Sequence, residues 1–308
     1  MACYHPITAW YSKYTNDNGK RPLVFAEKDA RPFDDPMQIA CGQCVGCRLE
    51  RSRQWAIRCV HEASLHENNC FITLTFNNEN LERRDNPWSL DVRDFQLFMK
   101  RLRKKFGKNI RFFHCGEYGE NFGRPHYHAC LFNFDFPDKE LWRISNGCRL
   151  YISESLSKLW PYGFVTIGDV TFESAAYVAR YILKKVTGDN AENHYQWTDE
   201  ETGEIHPRKP EYTTMSRRPG IGKGWFDLYT SDVYPSDFVV INGKKMRPPK
   251  YYDKLYETER PYEFEEIKCN RVENARIHAE NNTYDRLTVR EKCKLEQIKR
   301  LPRNKDFI

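Results

Sequence analysis

Pro125-His126-Tyr127-His128-Ala129-Cys130 sets two histidines one residue apart inside a run whose aromatic and apolar residues predict a β-strand. Side chains along a strand alternate faces with a period of two, so His126 and His128 project from the same face and can hold one divalent cation between them. Ile110–Tyr118 and His126–Phe134 read as the two strands of an antiparallel hairpin, with Gly123-Arg124-Pro125 leading into the second. A divalent ion needs a further ligand, and hard cations such as Mg²⁺ or Mn²⁺ want oxygen. Glu117 can face the histidines across the hairpin, and Glu120, closer to the turn, is the alternative. Alone, the stretch is equally compatible with two histidines on a half-exposed sheet that bind nothing.

Outward from the hairpin, Cys70-Phe71-Ile72-Thr73-Leu74-Thr75-Phe76 predicts a buried strand ended by Asn77-Asn78. Phe95, Phe98, Leu102 and Phe106 recur at helical spacing over Leu90–Phe106, which Gly107 stops. Arg48–His66 predicts another helix, with Trp55, Ile57, Val60 and Ala63 turned inward. The stretch Asp138–Leu150 is read as a helix interrupted by Gly147. Gly163–Val170 reads as a strand, and Thr171 opens a helix running to about Val186, before Gly188. This order predicts an α+β fold, a central antiparallel sheet with packed helices. The expected organisation is a cysteine-rich region and helix at 1–66, a catalytic domain at 67–190, and a loop-rich, charged helical region at 191–308. Ser216–Trp225 lacks the spacing of a Walker loop and reads as a loop, which excludes a nucleotide site there.

The 308 residues carry 49 Lys and Arg against 43 Asp and Glu, a net charge of +6. The clustering is more informative than the sum. Lys100, Arg101, Arg103, Lys104, Lys105, Lys108 and Arg111 follow one another without an acid, a pattern suited to a polyanion or to a solvated helix face. The first five are candidate DNA-binding residues. No apolar run approaches the length of a membrane span and no signal-peptide core is visible, so a cytoplasmic protein without a membrane partner is expected. Eleven cysteines in such a chain suit free thiols plus a metal cluster. Cys41, Cys44 and Cys47 supply three thiolates on one tight loop, and Cys3 or Cys59 can supply the fourth. Structural Zn²⁺ is the expected occupant, with an iron–sulfur cluster or free buried thiols as alternatives. Arg48, Arg51 and Arg53 beside the cluster suit a DNA-contacting appendage.

Tyr177-Val178-Ala179-Arg180-Tyr181-Ile182-Leu183-Lys184-Lys185 puts two phenols one helical turn apart on one face, with lysines at the next turn. Two phenols beside a lysine can act as alternating nucleophiles toward a phosphodiester whose oxygens a metal polarises. An aromatic pair packing the helix onto the sheet is the purely structural reading.

Taken in order, the strand Phe71-Ile72-Thr73-Leu74-Thr75, the His126-Tyr127-His128 triplet and the tyrosine helix with its lysine resemble the HUH endonuclease family. The paired tyrosines, Gly123-Arg124-Pro125, and the run Cys41-Gly42-Gln43-Cys44-Val45-Gly46-Cys47-Arg48 followed by Trp55-Ala56-Ile57-Arg58-Cys59 are similar to the replication initiators of microviruses, small single-stranded DNA bacteriophages. The resemblance implies an HUH nuclease-like sheet, with Mg²⁺ or Mn²⁺ held by His126, His128 and Glu117. It makes Tyr177 and Tyr181 the nucleophiles, assisted by Lys184; Arg180, at the matching place after Tyr177, departs from the pattern. The implied activity is nicking and rejoining of single-stranded origin DNA through a 5′-phosphotyrosine, without ATP. The reaction would take place in the bacterial host cytoplasm with host helicase and polymerase. The rival functions are an HUH transposase and a non-catalytic zinc-containing DNA-binding protein.

Overall fold

The computed structural model describes residues 3–19, 21–119, 123–145, 147–180, 191–198 and 202–300. Two compact units emerge, one formed by Met1–Arg51 with Lys268–Pro302 and the other by Ser52–Ile267. In the first, β1 (Ile7–Tyr11) pairs antiparallel with both β2 (Leu23–Val24) and β3 (Met37–Ile39). Helix α1 (Val45–Ala63) starts in this unit, just after the cysteine loop, and the unit boundary falls within it.

The second unit opens with β4 (Asn69–Phe76), α2 (Asn78–Glu82), α3 (Val92–Phe106), β5 (Arg111–Tyr118) and β6 (Pro125–Phe132). Next come β7 (Lys139–Ser145), β8 (Cys148–Ser153), α4 (Glu154–Leu159), β9 (Gly163–Gly168) and α5 (Phe172–Arg180). Beyond residue 190 follow α6 (Ala191–His194), β10 (Gln196–Thr198), β11 (Ile205–Pro207), β12 (Tyr212–Met215) and α7 (Lys223–Val233). A short pair, β13 (Val239–Ile241) and β14 (Lys244–Met246), precedes α8 (Lys250–Glu259) and α9 (Pro261–Ile277). Helix α10 (Tyr284–Arg300) belongs to the first unit, where Glu291 meets the His5 ring at 2.6 Å.

Seven strands form the main sheet in the order β12-β5-β6-β4-β9-β8-β7, every pair antiparallel. The middle strands β4 and β6 are buried along nearly their whole length, which explains why they read as continuous apolar runs. One face carries Ile72, Leu74, Tyr127, Ala129 and Leu131 against Phe95, Phe98, Met99 and Leu102 of α3. The other carries Phe71, Cys115, Cys130 and Phe132 against Ala56 and Cys59 of α1 and Ala175, Val178 and Ala179 of α5. Local chemistry starts the helices where expected. The Asp91 carboxylate accepts from Arg93 N at the head of α3, and Thr171 Oγ1 accepts from Ser174 N (3.1 Å) at the head of α5.

Three stretches differ from their sequence reading. Asp138–Leu150 holds strands instead of a helix: β7 and β8 form a hairpin about Gly147, whose φ of +78° suits the turn, and β8 joins β9 through Tyr151↔Ile167. An available sheet edge outweighs local helical spacing there. Within the polar stretch after Gly188, Trp197 and His206 face each other on the β10–β11 hairpin. Downstream, β12 extends the sheet along β5, and α7 begins inside Ser216–Trp225. Among the described residues, no helix is long and apolar enough to cross a membrane.

Candidate metal and nucleophile site

Register alone brings the candidate ligands together. Glu117 of β5 lies directly across from His126 of β6, and His128 lies across from Cys115. On the other side of β6, β4 places Thr75 against His126 and Thr73 against His128. All these side chains project from the α5 side of the sheet, because cross-strand partners share a face. Thr73 Oγ1 is 3.0 Å from Nδ1 of His128, and Thr75 Oγ1 is 3.0 Å from Nδ1 of His126. A hydroxyl both donates and accepts, so each threonine fixes its ring in either tautomer and directs Nε2 away from the strand. The sequence carried this signal, since Thr-x-Thr has the same two-residue period as His-x-His. Recognising it needs the register, which joins residues more than fifty apart.

His128 Nε2 lies 2.7 Å from Glu117 Oε1, and both side chains are buried. Two lone pairs that close need a proton or another cation between them, and a divalent ion is the natural alternative to the proton. The His126 and His128 rings are 6.3 Å apart. A Cβ at Gly119 would come within 2.7 Å of His126 Nε2, so glycine there keeps room beside the nitrogen. Two imidazoles and a carboxylate suit a divalent ion that accepts mixed nitrogen and oxygen ligands. The array is looser than the cysteine cluster: among the described residues, only the four cysteines gather three or more donor atoms within 4.8 Å.

Helix α5 brings Tyr177 over this end of the sheet. Its hydroxyl donates to Glu117 Oε1 at 3.4 Å, and its ring stands edge-on to His128, centroids 5.2 Å apart. The nucleophile candidate and the ligand candidates thus meet at one carboxylate oxygen. Tyr181, Lys184 and Glu120 lie outside the described residues.

The second cluster belongs to the first unit. Sulfurs of Cys3, Cys41, Cys44 and Cys47 all lie within 4.8 Å of one another and can hold a metal ion. Backbone N–H groups of Tyr4, Cys41 and Cys44 donate to Cys44, Cys3 and Cys41 sulfurs, each at 3.3 Å. Burial pushes the Cys3 and Cys47 thiols up. Burial also raises Cys44, but N–H groups of Tyr4 and Cys47 together with the neighbouring thiols outweigh it and bring that thiol down to about 7. Between the two candidates for fourth ligand the structure is decisive: Cys59 is fully buried in the sheet core, and Cys3 joins the cluster.

The basic run on α3 sits on the sheet face opposite the histidines. Arg101 donates to Leu159 O at 2.9 Å, Arg103 to Ile110 O at 2.6 Å and Lys105 to Ser155 Oγ at 3.0 Å. Lys100 and Lys104 are exposed.

A sequence model of the replication-associated protein ORF2 family matches residues 69–186, from the first residue of β4 to beyond α5. Replication-associated protein VP4 of Bdellovibrio phage phiMH2K is 30% identical over 299 residues, covering 92% of this chain and 88% of that protein. The chain belongs to this family of phage replication-associated proteins. Another relative in the family, replication-associated protein ORF2 of Spiroplasma virus 4, is 34% identical over 238 residues, 73% of this chain and 70% of its own. Replication-associated protein ORF4 of Chlamydia phage 1 is 30% identical over 227 residues, 70% of this chain and 53% of its own. No solved structure matches the chain. The resemblance to phage replication proteins is therefore borne out, and the family match spans every strand and helix that builds the histidine site.

Proposed function

We propose that this protein is a phage replication initiator that nicks and rejoins single-stranded origin DNA by attack of a tyrosine on a phosphodiester. The supporting observation is the convergence of Tyr177 Oη and His128 Nε2 on Glu117 Oε1, at 3.4 and 2.7 Å. His126, His128 and Glu117 would hold Mg²⁺ or Mn²⁺, which when bound supplies positive charge to the nonbridging phosphate oxygens. Tyr177 Oη would attack phosphorus and the P–O3′ bond would break. The phenol gives up one proton and O3′ takes one, leaving a 5′-phosphotyrosine and a 3′-OH that can prime synthesis. Glu117 aims the phenol through its hydrogen bond, and the threonines hold both rings. Tyr181 and Lys184 enter from the family resemblance, as second nucleophile and its cationic neighbour. The α3 lysines and arginines would contact the DNA backbone away from the reacting centre. In the same reading Cys3, Cys41, Cys44 and Cys47 hold structural Zn²⁺, and the protein acts in the host cytoplasm with host helicase and polymerase.

Incubation with an origin-derived single-stranded oligonucleotide and Mn²⁺ should give a denaturation-resistant protein–DNA adduct whose peptide maps to Tyr177 or Tyr181. The adduct should vanish when both are phenylalanine. Adducts that survive that double substitution, or full cleavage by His126→Ala/His128→Ala, would refute the mechanism.

A further inference from the structure

At the end of the sheet where the β5–β6 turn lies, a stack of planar groups takes no part in the chemistry proposed above. Trp88 stacks on Trp197 with centroids 5.8 Å apart and planes at 20°, and Trp197 stacks on its cross-strand partner His206 at 5.4 Å and 28°. The Arg124 guanidinium extends the ladder, 5.5 Å from the Trp88 ring. None of the three rings is fully buried, and the His206 side chain is 31% exposed. Arg208, two residues beyond His206, lies 5.1 Å from the Tyr118 ring and packs close against Gly123 on the far side of the turn.

Three features separate this arrangement from ordinary packing. Trp88 has φ of +59°, a conformation unfavourable for a bulky side chain and one that persists only where surrounding structure holds it. Asn86 supplies part of that hold by donating to Pro207 O at 3.0 Å, which ties the loop before Trp88 to the β10–β11 hairpin. Among the described residues neither Arg124 nor Arg208 has a carboxylate partner. Arg124 donates to Phe76 O and Asn78 Oδ1, at 2.8 and 2.5 Å, and Arg208 rests on a phenol ring. Their charges are available to an anion. Finally, the turn connects the ladder to the histidine site: Arg124 O accepts from Gly119 N at 2.9 Å, and Gly119 flanks His126 Nε2.

Half-exposed stacked rings beside uncompensated guanidiniums are what an unpaired nucleic-acid strand recognises, bases on the rings and phosphates on the cations. A duplex offers no open base faces. We infer that Trp88, Trp197 and His206, with Arg124 and Arg208, form a stacking track for the single-stranded DNA that flanks the scissile phosphate. This assignment rests on the reading of the histidine site as a DNA-cleaving centre for the direction in which the strand runs, but its test does not depend on cleavage.

Binding is measured by fluorescence anisotropy with a short mixed-sequence single-stranded oligonucleotide, on the full chain carrying His126→Ala/His128→Ala so that no strand is cut. Trp197→Ala and His206→Ala should each weaken binding roughly 5-fold or more, the lower end for one lost base stack. Trp197→Phe, which keeps a ring, should restore most of the affinity. Arg208→Gln should lower the slope of log affinity against log salt by about 0.7, whereas Trp197→Ala should leave the slope unchanged. Duplex binding should be unaffected by Trp197→Ala. Unchanged single-strand affinity in Trp197→Ala and His206→Ala, or an equal loss for duplex, would overturn the track. Covalent adduct formation, assayed separately with intact histidines, distinguishes the two readings. Adducts with no stacking effect would leave the cleaving site standing and remove the track; a stacking effect without adducts would do the reverse.

Discussion

The two threonines on β4 give the histidine pair its orientation, and their effect should be separable from the ligands themselves. Thr73→Val and Thr75→Val remove the hydroxyls 3.0 Å from each Nδ1 while preserving shape. Loss of such supporting contacts lowers metal affinity roughly 10- to 100-fold, so Mn²⁺ titration of either variant should show that drop and the serine variants should recover it. Another histidine tests the core. His61 lies between Trp225, ring centroids 3.4 Å apart, and the Tyr252 hydroxyl, 3.0 Å from its Nδ1. Burial holds its pKa down at about 3. In the unfolded chain the ring takes up a proton near pH 6.5, so from there down to about pH 3 the unfolded state binds the extra proton. Over that window this residue lowers stability by about 1.4 kcal/mol per pH unit of acidification, and above it has no effect. Denaturant unfolding at stepped pH should show a shallower acid decline for His61→Gln than for wild type; parallel declines would contradict the assignment.

At the scale of elements, the sheet's central pairing and the heads of its helices govern where the site stands. Asp91 caps α3 through Arg93 N at 2.8 Å and also pairs with Lys209 at 2.9 Å. Asp91→Ala should therefore cost about 1 kcal/mol, visible as a fall of a few degrees in the thermal midpoint. Gly163 is less forgiving. It begins β9 opposite Phe76, where a Cβ would lie 2.3 Å from Thr75 O and 2.4 Å from Asn77 N. Backbone cannot give way as a flexible side chain can, so Gly163→Ala should destabilise by at least about 1–3 kcal/mol. Because Thr75 is the residue displaced, it should also weaken Mn²⁺ binding more than Asp91→Ala does. Calorimetric unfolding and metal titration on both variants check the order.

Across the whole molecule, the four-cysteine cluster offers the clearest measurement of metal content. Protein purified without chelator should carry one equivalent of zinc, lost in Cys3→Ser and Cys44→Ser and retained in Cys59→Ser, whose sulfur lies in the sheet core. Equal zinc loss in Cys59→Ser would displace Cys3 from the cluster. The sequence by itself determined what depends on local period: the His-x-His strand, the strand over Phe71–Phe76, the amphipathic α3 with its glycine stop, and the head of the tyrosine helix. It also narrowed the ligand sets, leaving Glu117 beside Glu120 and Cys3 beside Cys59. Only the tertiary structure decided what depends on pairing between distant segments. It put Thr73 and Thr75 behind the histidines and Cys3 against a loop 38 residues away. Tyr212–Met215 became a sheet edge, and Asp138–Leu150 a hairpin in place of a helix. Periodicity records which face of a segment is buried. It does not record which segment lies across from it, since register and partner are chosen by the summed packing of the whole sheet.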